Sequence, residues 1–162
     1  HTGAKEVYGL ELGVFATMLE GDTFSVPLRF TYTYTDGEYK GGGRGAASAL
    51  AGDVLEYTPP HIASLQIGLE HKAGWDFYTA LSYLDETCST MTCDRPGIDD
   101  TFLRTERLVS VDLSASYDLS DAVELYAKVD NLFDERAITN RGADGARGNP
   151  GRYAGLGLRV NF

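Results

Sequence analysis

No stretch of this chain approaches the roughly 20 consecutive apolar residues that a membrane-spanning helix requires. Nothing here is expected to cross a bilayer as a helix. Cysteine is nearly absent, with only Cys88 and Cys93 in the whole sequence. A structural zinc site wants four ligands. No further cysteine exists, and the nearest histidine, His71, falls on a predicted strand, so zinc is excluded. Both cysteines sit in the polar, turn-rich stretch "ETCSTMTCDRPG", which predicts an exposed local disulfide formed in an oxidising compartment. Basic charge is also scarce. Lys and Arg number 14 against 24 Asp and Glu, for a net charge of −10. That excludes the basic footprint of a nucleic-acid binder. It does not exclude a membrane, because lumen and loop charges need not touch lipid. The sequence opens on His1 without a signal-peptide pattern, so a mature protein or a fragment is expected.

The sequence is instead rich in Gly (19), Tyr (10) and Phe (7), and it alternates. In "FSVPLRFTYTYT", Phe24, Val26, Leu28, Phe30, Tyr32 and Tyr34 share one face, while Arg29, Thr31, Thr33 and Thr35 share the other. A period of two is the mark of a strand with one apolar face. The same pattern sets Ala63, Leu65, Ile67 and Leu69 against Ser64, Gln66, Gly68 and Glu70. It recurs with Val109, Val111, Leu113, Ala115 and Tyr117, and with Val123, Leu125, Ala127 and Val129. The run "EVYGLELGVFATM" puts Tyr8, Leu10, Leu12, Val14 and Met18 on one side, with Glu11 but also Phe15 on the other. Residues 75–83 form a weaker run. The last residues, "GRYAGLGLRVNF", place Ala154, Leu156, Leu158, Val160 and Phe162 on one face.

This gives about seven strands, most of them roughly 9–13 residues long. Globular strands run ~5–6 residues, whereas tilted membrane strands need ~9–11. The connections alternate too. Short links ("EGD", "KAG", "LSDA") separate long ones at residues 36–60, 85–103 and 134–152. Short turns at one end and long loops at the other characterise an outer-membrane barrel, and a β-sandwich has no reason to sort its loops so. Phe24, Trp75, Phe77, Tyr117 and Phe162 then fall near the short-turn end, and Tyr8, Tyr32, Tyr34 and Tyr83 near the long-loop end, as two belts at headgroup level. Pro27 lacks an N–H and calls for a bulge or a late strand start. Seven strands do not close, since single-chain bacterial barrels have even numbers from eight upward. A larger barrel is therefore expected.

Two stretches carry a family resemblance. "VDNLFDERAI" (residues 129–138) resembles the Asn–apolar–Phe–Asp stretch near the end of TonB-dependent outer-membrane receptors, and "PGRYAGLGLRVNF" (residues 150–162) resembles their closing strand. "VYGLELG" and "TPPH" are similar to further strands of that family. The resemblance implies an all-β fold, the C-terminal portion (residues 1–162) of a 22-stranded antiparallel barrel, with the plug and TonB box outside this sequence. It implies energised uptake of a scarce ligand, usually a ferric siderophore or ferric citrate, through the TonB complex. It also implies that Leu156, Leu158, Val160 and Phe162 are read by the barrel-assembly machinery, and that the apolar faces meet outer-membrane lipid.

The candidate ligand residues are arginines in the long loops. A guanidinium pairs bidentately with carboxylates, and ferric chelates present anionic oxygens. Arg141 and Arg147 are candidates on this ground, against the plainer reading of pairing with Asp134, Glu135 or Asp144. Lipopolysaccharide is a further anionic partner for these arginines. "GGGRG" lacks the Gly-Lys-Ser/Thr ending of a phosphate loop and reads as an external loop, with Arg44 near ligand. Asp94, Asp99 and Asp100 match no calcium-loop spacing. His61 and His71 lie ~33 Å apart along one strand at ~3.3 Å per residue and cannot share a metal. No catalytic set is placed by the pattern, and no cofactor is expected. The competing readings are a passive porin, which an upstream plug would exclude, and a soluble carbohydrate-binding sandwich, which would extract without detergent.

Overall fold

Alternation and hydrogen-bond register build ten strands: β1 (Lys5–Glu20), β2 (Phe24–Lys40), β3 (Ala51–Val54), β4 (His61–His71), β5 (Trp75–Leu84), β6 (Leu108–Ser120), β7 (Val123–Asp130), β8 (Ile138–Gly142), β9 (Gly145–Gly148) and β10 (Tyr153–Val160). The structure is a computed structural model and describes residues 4–41, 49–142 and 144–161. Among these the only regular elements are strands. The seven predicted strands form one antiparallel sheet in the order β1-β2-β4-β5-β6-β7-β10. Three short strands were not foreseen. β3 adds to β2, and β8 and β9 make a separate hairpin. All three lie inside the long connections.

β1 and β2, at 16 and 17 residues, outrun the predicted lengths. Their pairing continues up to Lys5 opposite Tyr39, through Glu6, Asp36, Glu38 and Lys40. The first long connection therefore starts after Lys40 rather than at Asp36. These residues are too polar for lipid, but a ladder needs only backbone partners. Lys40 holds the two strands there through Glu6 and Glu38.

Pro27 has the predicted consequence. The β1–β2 register shifts between Thr17 and Leu19, opposite Pro27 and Val26. The bulge corrects one assignment. Beyond Thr17 it is Leu19, not Met18, that stands opposite apolar Val26. On the other side of β2 the β4 ladder skips Val26 and Pro27. Gly68 faces that gap, where a Cβ would collide with the Tyr78 ring and crowd Pro27. Gly157 likewise lies beneath the ring of its cross-strand partner Tyr126. In both places an aromatic side chain covers a glycine on the polar face.

The sheet is a single layer, and among the described residues no large side chain is fully buried. The buried apolar residues, Tyr39, Ala49, Cys88, Cys93 and Ala137, cluster at the long-loop end. Meanwhile Leu156 is 76% exposed, Leu10 63% and Leu158 60%. A water-soluble domain buries such a face against a second layer. Among the described residues no second layer covers it, and the face stands open. The rows across the sheet agree. Phe24, His71, Trp75 and Tyr117 are consecutive cross-strand partners at the short-turn end, with His71 stacked on Trp75 at 4.8 Å. At the other end Tyr34 stands opposite His61, and the Tyr32 hydroxyl bonds His61 Nδ1 at 2.9 Å. From Trp75 to Tyr83 is about 26 Å along the strand. Between the rows lie Phe30, Leu65, Leu81 and Val111, in register.

Candidate ligand-facing loop cluster

The described parts of three long connections gather at one end: residues 49–60 between β2 and β4, 85–107 between β5 and β6, and 131–142 with 144–152 between β7 and β10. Arg44 and Phe162 lie outside the described residues.

The middle connection is organised locally. The Cys88–Cys93 disulfide forms as predicted, with Cα atoms 5.8 Å apart. It is buried rather than exposed, with Cys88 at 4% and Cys93 at 2% exposure, and the Tyr57 amide of the first connection bonds the Cys88 carbonyl. At the base, the Thr87 amide donates to Thr105 Oγ1 at 3.0 Å, and the Thr105 amide returns to the Thr87 carbonyl at 2.8 Å. Arg104 is the hub. Its guanidinium meets Asp94, Asp100 at 2.7 Å and Glu86 at 3.7 Å, and these acids raise its pKa further, Asp100 most. Asp94 and Asp100 thus converge on an internal cation, while Asp99 turns to Thr101. The two sulfurs lie near Asp94, but they are bonded to each other and offer no thiolate to a metal.

The third connection explains the Asn–apolar–Phe–Asp stretch. Asn131 has a positive φ of 53° and is 5% exposed. Its Oδ1 accepts the Glu135 amide at 2.9 Å, and its Nδ2 donates to the carbonyls of Glu135 at 2.9 Å and Pro150 at 3.1 Å. Its own amide donates to Asp112 on β6 at 2.7 Å. Asp134 accepts the Arg152 amide at 2.7 Å just ahead of β10. That bond, with Arg136 second, holds the Asp134 carboxyl below its usual range. One short motif therefore ties the end of β7 to the start of β10.

The connections also brace one another. Asp53, 5% exposed, accepts Arg95 Nε at 2.7 Å and Nη2 at 2.5 Å, together with the Leu50 amide at 2.6 Å. Arg95 foremost holds the Asp53 pKa below the ordinary carboxylate value, so the pair is ionised at neutral pH. The Glu106 amide donates to the Ile138 carbonyl, and the Ile138 amide to Glu106 Oε2, both at 2.7 Å. Between these braces lies a polar recess of about 470 Å³, whose lining includes Asp36, Asp85, Asp94, Arg104 and Arg107.

The two predicted arginines in the described residues sit on the β8–β9 hairpin. Arg141 Nε donates to the Arg104 carbonyl. Its guanidinium meets backbone rather than Asp134, Glu135 or Asp144. Arg147, on exposed β9, has no side-chain partner among the described residues. Asp53, Tyr57, Arg95 and Arg104 were missed by sequence reasoning. The Asp53–Arg95 and Tyr57–Arg141 pairings span 42 and 84 residues, and no local pattern marks them; Arg104 pairs with Asp100 four residues away and with Asp94 ten away, inside a loop with no regular spacing. On the polar face nearer the short turns, a second recess of about 550 Å³ lies among Phe15, Pro27, Arg29, Gln66 and Tyr78. Phe15, the residue that broke the β1 alternation, lies there under the Arg29 guanidinium at 5.3 Å.

A family model described as TonB dependent receptor-like, beta-barrel matches residues 2–132. No curated protein gave a match. Among solved structures, the siderophore receptor PiuA from Acinetobacter baumannii superposes with a TM-score of 0.72 at 22% identity, over 96% of this chain and 22% of that one. The ferric yersiniabactin uptake receptor FyuA from Yersinia pestis gives 0.74 at 20% identity, over 99% and 24%. The ferric-catecholate import receptor Fiu from E. coli K12 gives 0.74 at 21% identity, over 98% and 21%. The chain thus spans less than a quarter of the length of each of these three proteins, and at these identities the likeness is one of fold.

Proposed function

The chain belongs to the TonB-dependent receptor-like β-barrel family, and on that premise we propose that it is the C-terminal part of a barrel that takes up a scarce ligand. Its place is the outer membrane of a Gram-negative bacterium. The family is one of receptors and transporters rather than an enzyme class. A ferric siderophore or ferric citrate is the ligand class we propose. TonB supplies the energy, acting through a plug and TonB box carried elsewhere in the full protein.

One observation carries this reading. The family model matches residues 2–132 of a chain whose described strands make a single-layer sheet with an open apolar face and with the described parts of its long connections at one end. On this reading Arg147, exposed on its hairpin, is the better placed of the two described arginines to meet an anionic chelate or lipopolysaccharide. Arg141 serves the loop framework first, and Arg44 remains a candidate on its sequence alone. Leu156, Leu158 and Val160, with Phe162, are proposed as the segment read by the barrel-assembly machinery.

The test is uptake of radiolabelled iron from a panel of ferric siderophores and ferric citrate, in cells carrying the full-length gene with and without TonB. The expected result is accumulation of iron from at least one chelate that disappears without TonB. Accumulation that is indifferent to TonB would assign the barrel to passive diffusion instead.

A further inference from the structure

Tyr57 bonds both of the other long connections, and its partner Arg141 does the same from the third. The Tyr57 amide donates to the Cys88 carbonyl at 2.8 Å. Its hydroxyl donates to the Arg141 carbonyl and accepts the Arg141 amide at 3.3 Å. It does so with a positive φ of 52°, a conformation that side-chain-bearing residues avoid and that persists only where the surroundings enforce it. The surroundings here are the other two connections. Arg141 in turn reaches the Arg104 carbonyl, and the Asp53–Arg95 pair closes the circuit between the first and second connections.

We propose that residues 49–57, the middle connection and the β8–β9 hairpin form one cross-braced cover, with Tyr57 as its joint, so that they open together rather than as separate loops. The hydrogen-bond circuit has no free arm. Residues 49–57 cannot lift without breaking Tyr57 from Cys88 or Asp53 from Arg95. The β8–β9 hairpin cannot swing without breaking Arg141 from both Tyr57 and Arg104. The disulfide fixes the middle connection, so it is the body against which the other two are held. For a receptor this makes access to the lumen a concerted step. That consequence rests on the uptake reading above, whereas the coupling itself does not.

The test needs no ligand. Amide exchange is followed by mass spectrometry on the native full-length protein in its membrane, comparing wild type with Tyr57→Phe and Asp53→Asn. Tyr57→Phe keeps the bond to Cys88 and removes both bonds to Arg141. Exchange around Ile138–Gly142 is expected to speed up about tenfold, as loss of two ordinary hydrogen bonds implies. Asp53→Asn removes the charge and one acceptor from a pair that the hairpin does not touch, yet the same segment is expected to speed up, together with residues 49–57. Peptides from β4 should stay protected in both variants, showing that the barrel is folded. Unchanged exchange around Ile138–Gly142 in Tyr57→Phe would overturn the role of Tyr57 as joint. An Asp53→Asn effect confined to its own connection and its Arg95 partner would overturn the single cover.

Discussion

Replacing Leu65 by Arg is expected to destabilise the folded barrel by roughly 2–4 kcal/mol, the cost of a charged side chain at the lipid-facing midplane. Leu65 stands between Phe30 and Leu81 in the row midway between the two aromatic belts. Ser64, its neighbour in sequence, points to the other face, between Thr31 and Ser82. An arginine there meets polar groups, and Ser64→Arg is expected to change stability far less. The comparison controls for strand propensity, chain position and added volume, because only the face differs. Urea titration of the barrel in vesicles gives the free energies. Should Leu65→Arg prevent folding altogether, loss of the heat-modifiable band in gels of outer membranes reports it. Equal costs at the two positions would mean that the apolar face is not the lipid face.

The second large effect is expected at Asn131. Its side chain makes three hydrogen bonds in a nearly dry site. Asn131→Ala removes all three and leaves the Glu135 amide without its acceptor, a loss on the order of 3 kcal/mol. It also forces alanine into a left-handed conformation, at about 1 kcal/mol more. Asn131→Gly removes the bonds but not the conformational freedom and is expected to fall between alanine and wild type. Asn131→Asp keeps the acceptor and loses both donated bonds. Equilibrium unfolding of the three variants separates the contributions. If the alanine variant matched wild type, the motif would not be what fastens β10 to β7.

These positions show which parts of the molecule local sequence carries. The two faces of the sheet are written residue by residue, so Leu65 and Ser64 are assigned by counting alone. Pro27 announced a bulge because its missing N–H is a property of one residue. The side to which the bulge sends Leu19 was not legible, because it depends on how the neighbouring strand absorbs the extra residue. The β8–β9 hairpin read as loop, since its Gly, Asn and Ala residues have low strand propensity. It persists because Tyr57, Arg104 and Glu106 hold it. The loop cluster was the least legible. Arg44, Arg141 and Arg147 were chosen there for their affinity for anions; Arg141 also braces the loops, as do Arg95 and Arg104, which the sequence did not single out. A bidentate pair such as Asp53–Arg95 exists only after the sheet has brought its two ends together.

The most direct test of the central claim is a nitroxide scan of β4, one label at a time from Ile62 to Glu70, in the native full-length protein reconstituted in lipid. Collision rates with oxygen report lipid exposure. Strict alternation is expected, high at positions 63, 65, 67 and 69 and low at 64, 66 and 68, with the highest values near 65. Uniform rates along the strand, or alternation of the opposite phase, would contradict it.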